Sequence, residues 1–92
     1  MSIDHDGIEP LYLQLASLLR RQIRSGELLA GRAIPSEQRL MQMHELGRDT
    51  VRAGIAVLKK EGWLVTQRGR GTFVKPAEQW PDEDAAPSGE NR

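Results

Sequence analysis

Apolar positions recur along this chain in three helical registers and then in two short β-rich runs. In the first register Tyr12, Leu15, Leu19 and Ile23 form one stripe with Leu11 and Leu18 beside it, the spacing of a core-facing helix. Arg20, Arg21 and Arg24 fall toward water or phosphate. Glu9-Pro10 opens this helix, since Pro lacks only an N–H that the first turn leaves unbonded, and Ser25-Gly26 ends it. In the second register Leu40 faces inward together with Met43 or His44, and Ser36 is placed to cap the helix start. Glu37 suits the positive end of that helix dipole, but Arg39 stands where a capping box would need Glu or Gln. In the third, Val51, Ile55 and Leu58 recur at i, i+4 and i+7. Arg48, Arg52 and Lys59 lie on a flank, and Asp49, Ala53 and Ala56 lie opposite the core. The β-rich runs, Trp63 to Arg68 and Thr72 to Lys75, enclose Gly69-Arg70-Gly71 and read as a hairpin. Between the first two helices Ala30-Gly31 gives a turn, and Ala33-Ile34 is able to add a short strand to the sheet.

Only Glu45-Leu46-Gly47 separates the second helix from the third, so the pair makes a helix-turn-helix. A hairpin directly after its second helix is the layout of a winged helix. The predicted fold is therefore mainly α with a small β-hairpin, a three-helix winged helix-turn-helix over residues 8–75. Residues 1–7 are expected to be a flexible N-terminus. Residues 76–92, rich in Pro, Glu, Asp, Ala, Ser and Gly, read as a disordered acidic tail in which Trp80 either docks on the domain or stays loose. The helix from Gly47 to Glu61, taken by itself, also fits an ordinary amphipathic helix with a solvated charged side. A plain hairpin capping the core, however, leaves the arginines that bracket its turn glycines without a reason.

With 92 residues the core is small, and stability is expected on the order of 5 kcal/mol. There is no Cys, which excludes disulfides and thiolate metal sites. No apolar run approaches a membrane span, and Met1 to Asp6 lacks the basic and apolar regions of a signal peptide, so a cytoplasmic location is expected. The formal net charge of zero hides a segregation: residues 10–75 hold 12 Lys and Arg against five acidic residues, while residues 1–9 and 76–92 are both net negative. A basic folded segment suits a polyanion. Catalysis would need clustered ionisable groups, whereas His5 and His44 are isolated and the carboxylates fall in caps and tails. His44 has no second ligand at helical spacing and reads as a core or turn histidine, so neither a metal nor a cofactor is expected.

The ordered motifs carry a resemblance. Pro10-Leu11-Tyr12, Ile23-Arg24-Ser25-Gly26-Glu27-Leu28, Ile34-Pro35-Ser36-Glu37, Arg48-Asp49-Thr50-Val51-Arg52, Glu61-Gly62-Trp63 and Gln67-Arg68-Gly69-Arg70-Gly71-Thr72-Phe73-Val74 stand in this order over about residues 8–75. Together they resemble the DNA-binding domain of GntR-type bacterial transcription regulators. The resemblance implies a sequence-specific regulator, a repressor, that inserts helix 47–61 into the major groove of operator DNA and wing 67–72 into the minor groove. It carries over Arg48, Thr50 and Arg52 on the third helix and Arg68 and Gly69 in the wing. Ser36, Gln38, Arg39, Asp49 and Arg70 complete the candidate DNA-binding set. Arginine reaches a guanine edge or a phosphate, Thr50 reaches a phosphate, and Gly69 lets the backbone approach closely. The alternative is a winged helix used as a protein-interaction module, with the acidic tail as its docking segment.

Four departures from the family pattern bear on these expectations. The usual Glu-Arg after the capping Ser is here Glu37-Gln38-Arg39, which loses that arginine contact or moves it to Arg39. The usual Leu-Gly-Val-Ser-Arg turn is here His44-Glu45-Leu46-Gly47-Arg48, so Glu45 stands at a glycine position and is expected to be strained at φ > 0. Gly54 within the third helix costs up to about 1 kcal/mol relative to Ala. The family's large C-terminal domain, which binds an effector and forms the dimer, has only 17 residues to correspond to it here. No effector-binding domain is therefore expected in this chain, and pairing as a homodimer is expected on a two-fold DNA site.

Overall fold

The computed structural model describes residues 3–81, and the expectations for residues 82–92 lie outside them. Its elements run α1 (Leu11–Ser25), α2 (Glu37–His44), α3 (Arg48–Glu61), β1 (Leu64–Gln67), β2 (Gly71–Val74) and a 3₁₀ turn (Ala77–Gln79). Three helices followed by a two-stranded antiparallel hairpin form the winged helix-turn-helix that the periodicity predicts.

Each helix begins and ends for a local reason. The Pro10 carbonyl accepts the Leu13 and Gln14 N–H groups, both at 3.1 Å, and Gly26 closes α1 in the left-handed region at φ 88°. Ser36 Oγ accepts the Arg39 N–H at 3.1 Å, which satisfies one of the free donors of α2 without a capping box. Gly62, at φ 102°, closes α3. Glu45 closes α2 at φ 55°, ψ 52°, and among the described residues no other non-glycine has a positive φ. The strain expected at this departure from the family turn is thus present in the backbone.

The core is a contiguous apolar cluster. Leu15, Leu19 and Ile23 of α1 meet Leu40 of α2, Val51 and Leu58 of α3, and Trp63, Leu64 and Val74 of the hairpin. Burying each aliphatic side chain contributes about 1.5–3 kcal/mol. Tyr12, expected in the α1 stripe, is 37% exposed, while Leu18 and Ala16 are buried. In α2 Leu40 is buried, His44 is partly buried and Met43 is 52% exposed.

Helix α1 crosses α3 at Gly54, which is buried. A Cβ there would lie 3.0 Å from both the Tyr12 carbonyl oxygen and Leu15 Cδ2. Gly54 therefore sets how closely the two helices approach, a role that its helix propensity does not reveal. A second link joins the same helices. Arg20 donates to both Glu61 oxygens at 3.0 Å, and Trp63 Nε1 donates to Glu61 Oε1 at 3.0 Å.

In the hairpin Leu64 pairs with Val74, Val65 with Phe73, Thr66 with Thr72 and Gln67 with Gly71. The segment before α2 joins it as expected: Ala33 bridges Phe73, the Gly31 N–H donates to the Val74 carbonyl at 2.8 Å, and the Ile34 N–H donates to the Thr72 carbonyl at 2.9 Å. The wing is thereby fastened to the start of the helix-turn-helix.

Both segments expected to be loose make specific contacts where they are described. Gln14 exchanges hydrogen bonds with the Asp4 backbone at 2.7 and 2.8 Å, and His5 Nε2 donates to the Glu45 carbonyl at 3.0 Å. At the other end Trp80 lies 5.7 Å from Trp63 between ring centroids, and its indole N–H donates to the Lys75 carbonyl at 2.6 Å. Of the two alternatives for Trp80, the structure takes the docked one. Its aromatic area and its single N–H are both satisfied there.

Candidate nucleic-acid interface

The first turns of α3 carry the candidate groups because the register of its buried face leaves them outside. With Val51, Gly54 and Leu58 turned toward the core, Arg48, Asp49 and Arg52 stand exposed and Thr50 half-exposed. The side chains of Arg48 and Arg52 are 59% and 61% exposed. Gln38 and Arg39 are exposed on the first turn of α2, and Ser36 beside them is engaged as its cap.

The wing turn lies between β1 and β2. Arg68, Gly69 and Arg70 are all exposed, and the Arg70 N–H closes the turn on the Gln67 carbonyl at 2.8 Å. Gly69 has φ 77°, a conformation that favours glycine, and Gly71, at φ 113°, needs the same freedom. The two arginines differ. The Arg70 guanidinium sits 5.8 Å from the centre of the Phe73 ring, laid back over β2 as a cation–π pair, whereas Arg68 makes no ion pair with a described residue.

An open cleft of about 510 Å³ lies between α3 and the wing, lined by Arg52, Ile55 and Lys59 of α3 and by Thr66 and Thr72 of the hairpin. Glu37 also borders it. Its Oε2 accepts Arg52 Nε at 2.8 Å, and its Oε1 lies 3.7 Å from Arg48 Nε. The Arg52 hydrogen bond, with the charges of both arginines, holds the Glu37 carboxyl below its ordinary range and outweighs partial desolvation. The same bond raises the Arg52 guanidinium. In sequence Glu37 reads as a helix-dipole residue and nothing more. Its partners stand 11 and 15 positions away, and no periodicity connects them.

The arrangement is an exposed basic surface beside an open cleft, carrying the carboxylates of Glu37 and Asp49 as well, and it is suited to hydrogen-bonding phosphates and base edges. Among the described residues no group of three or more His, Asp and Glu is placed to hold a metal ion. None of the helices described is long and apolar enough to cross a membrane.

Comparison with known proteins gives this geometry its relatives. An HTH-type transcriptional regulator of Mycobacterium tuberculosis is 45% identical over 74 residues, which are 79% of this chain and 28% of that protein. The arabinose metabolism transcriptional repressor of Geobacillus stearothermophilus is 42% identical over 73 residues, 76% of this chain and 20% of the repressor. This chain thus corresponds to about a quarter of the length of these relatives. Among solved structures, YtrA from Sulfolobus acidocaldarius, a GntR-family transcription factor, superposes with a TM-score of 0.75 at 34% identity, covering 80% of this chain and 78% of that one. The DNA-binding domain of AraR in complex with its operator ORX1 superposes with a TM-score of 0.70 at 36% identity, covering 73% and 81%. The family model for bacterial regulatory proteins, gntR family, matches residues 11–74, from the first residue of α1 to the last of β2. The chain belongs to the gntR family of bacterial regulatory proteins.

Proposed function

We propose that the protein is a sequence-specific DNA-binding transcription regulator that acts as a repressor. In this reading the N-terminal half of α3 enters the major groove of operator DNA and the turn around Gly69 enters the minor groove. Arg48 and Arg52 read base edges, Thr50 and Arg39 hold phosphates, and Arg68 is the cation of the wing tip. Ser36, Gln38, Asp49 and Arg70 border these contacts and set their register. The observation that carries the reading is the placement of exposed Arg48 and Arg52 and half-exposed Thr50 on a helix followed by a glycine-tipped wing, on a fold that superposes on a domain solved with its operator. Three of its relatives are named as repressors.

A single module of this size has a small footprint, and tight specific binding usually takes two. The protein therefore pairs as a homodimer on a two-fold site, in the cytoplasm. Selecting bound sites from a random duplex pool, followed by gel shifts over a salt series, tests the reading. The expected result is an enriched palindrome whose affinity falls steeply with salt. A pool that shows no enrichment and no salt-dependent retention would overturn it.

A further inference from the structure

Glu37 hydrogen-bonds one arginine of another helix and lies within ion-pair distance of a second, and neither folding nor its position in α2 accounts for that. Its Oε2 accepts Arg52 Nε at 2.8 Å while its Oε1 stands 3.7 Å from Arg48 Nε. The Glu37 side chain is 36% exposed, and the two arginines are more exposed still. Ion pairs this open to water contribute little to stability. Any acid in the first turn of α2 would satisfy the helix dipole. What remains is the effect on the arginines themselves.

A guanidinium presents five N–H donors in a planar fork. A carboxylate at Nε occupies one edge and leaves the terminal nitrogens to form the paired donors that fit guanine O6 and N7. A free arginine samples many rotamers, so one fixed through its Nε is preorganised for that pairing. The same carboxylate is a negative charge set into a surface facing a polyanion. It weakens attraction to phosphate on every duplex alike, whereas guanine contacts offset that loss only at the correct site. Asp49 also acts on Arg52, but the direct hydrogen bond from Arg52 goes to Glu37.

We propose that Glu37 is the specificity-determining positioning residue of this surface, aiming Arg48 and Arg52 at base edges while suppressing binding to non-operator DNA. The proposal rests on the DNA-binding reading above, and the experiment separates the two. With an operator selected by the wild-type protein, affinities for operator and scrambled duplex are measured over a salt series for wild type, Glu37→Gln and Glu37→Asp. Melting curves confirm that each variant is folded at the assay temperature.

Glu37→Gln removes the charge. It should raise scrambled-duplex affinity by about threefold to tenfold, steepen the salt slope by about one, and lower the operator-to-scrambled ratio by about tenfold. Glu37→Asp keeps the charge but is one methylene too short to reach both arginines. It should leave scrambled-duplex affinity unchanged and weaken operator binding by roughly tenfold. An unchanged ratio in both folded variants overturns the proposal. So does a site reselected with Glu37→Gln that loses preference at one cytosine alone, because that result would make Glu37 a direct base reader. If the wild-type protein itself shows no salt-dependent binding to any duplex, the DNA-binding reading falls, and this proposal with it.

Discussion

Toward α1, helix α3 presents Val51, Gly54 and Leu58, all buried and uncharged, with backbone close enough that Gly54 has no room for a Cβ. On its other side Arg48 and Arg52 stand in water beside Glu37. The first face is governed by volume: an added atom meets a carbonyl oxygen that cannot move away. The second is governed by direction: the groups have space, and what matters is where their donors point. Damage to the two faces should therefore register in different measurements, melting for one and binding for the other.

The largest effect is expected on the buried face. Gly54→Val places a branched side chain against the Tyr12 carbonyl and Leu15, where Cβ alone comes within 3.0 Å. It should cost roughly 2–3 kcal/mol of stability, read as a fall in denaturation midpoint. A midpoint equal to wild type would mean that the helices separate freely and that the close crossing has no energetic weight. On the exposed face Arg48→Ala and Arg52→Ala should each weaken operator binding by about 1–3 kcal/mol while leaving the melting temperature within a degree or two. Unchanged affinity in both folded variants would remove α3 from the interface.

A third variant sharpens the contrast at the turn between α2 and α3. Glu45 holds φ 55° with a Cβ, so Glu45→Gly should stabilise the fold by about 0.5–1 kcal/mol, less whatever the glycine adds to unfolded-chain entropy. The His5 hydrogen bond goes to the Glu45 backbone and survives the change. A lower melting temperature would show that the Glu45 side chain supports the turn.

The smallest effect concerns His44. Burial lowers its pKa below the ordinary 6.5, so the unfolded chain takes up this proton first as the pH falls. Stability due to neutral His44 is thus present above pH 6.5 and lost as the pH drops through 6.5 toward the lowered folded value. A small acid-side decline in melting temperature should be absent in His44→Gln; an identical decline in that variant would assign it to other groups.

The sequence carried the elements because their signals are local. Apolar stripes, Pro10, Ser36, Gly26 and Gly62 mark the helices and their ends, and the glycines around Arg70 mark the wing. It also carried Arg48, Arg52, Arg68 and Gly69, which are exposed, and Thr50, which is half-exposed, as candidate groups. It did not carry relations between distant segments. Gly54 reads as a weak point in a helix until α1 is laid across it, and Tyr12 reads as core until that crossing leaves it at the edge. Arg70 reads as a second tip cation until Phe73 is seen beneath it, and Glu37 reads as a dipole residue until α3 folds next to it. Each of these depends on a tertiary contact that no local pattern encodes.

The tryptophan contact at the end of the described chain has a practical geometric outcome. Trp80 rests on Trp63, and Pro81 lies beside Gly62, within 3.8 Å of where a Cβ would stand. The chain therefore leaves from the C-terminal end of α3. At 1.5 Å per residue, that exit is about 20 Å along the axis from Arg48. A fluorescent protein or affinity handle joined after Pro81 would thus be attached at the end of α3 far from Arg48, with the tilted indole pair anchoring the point of attachment.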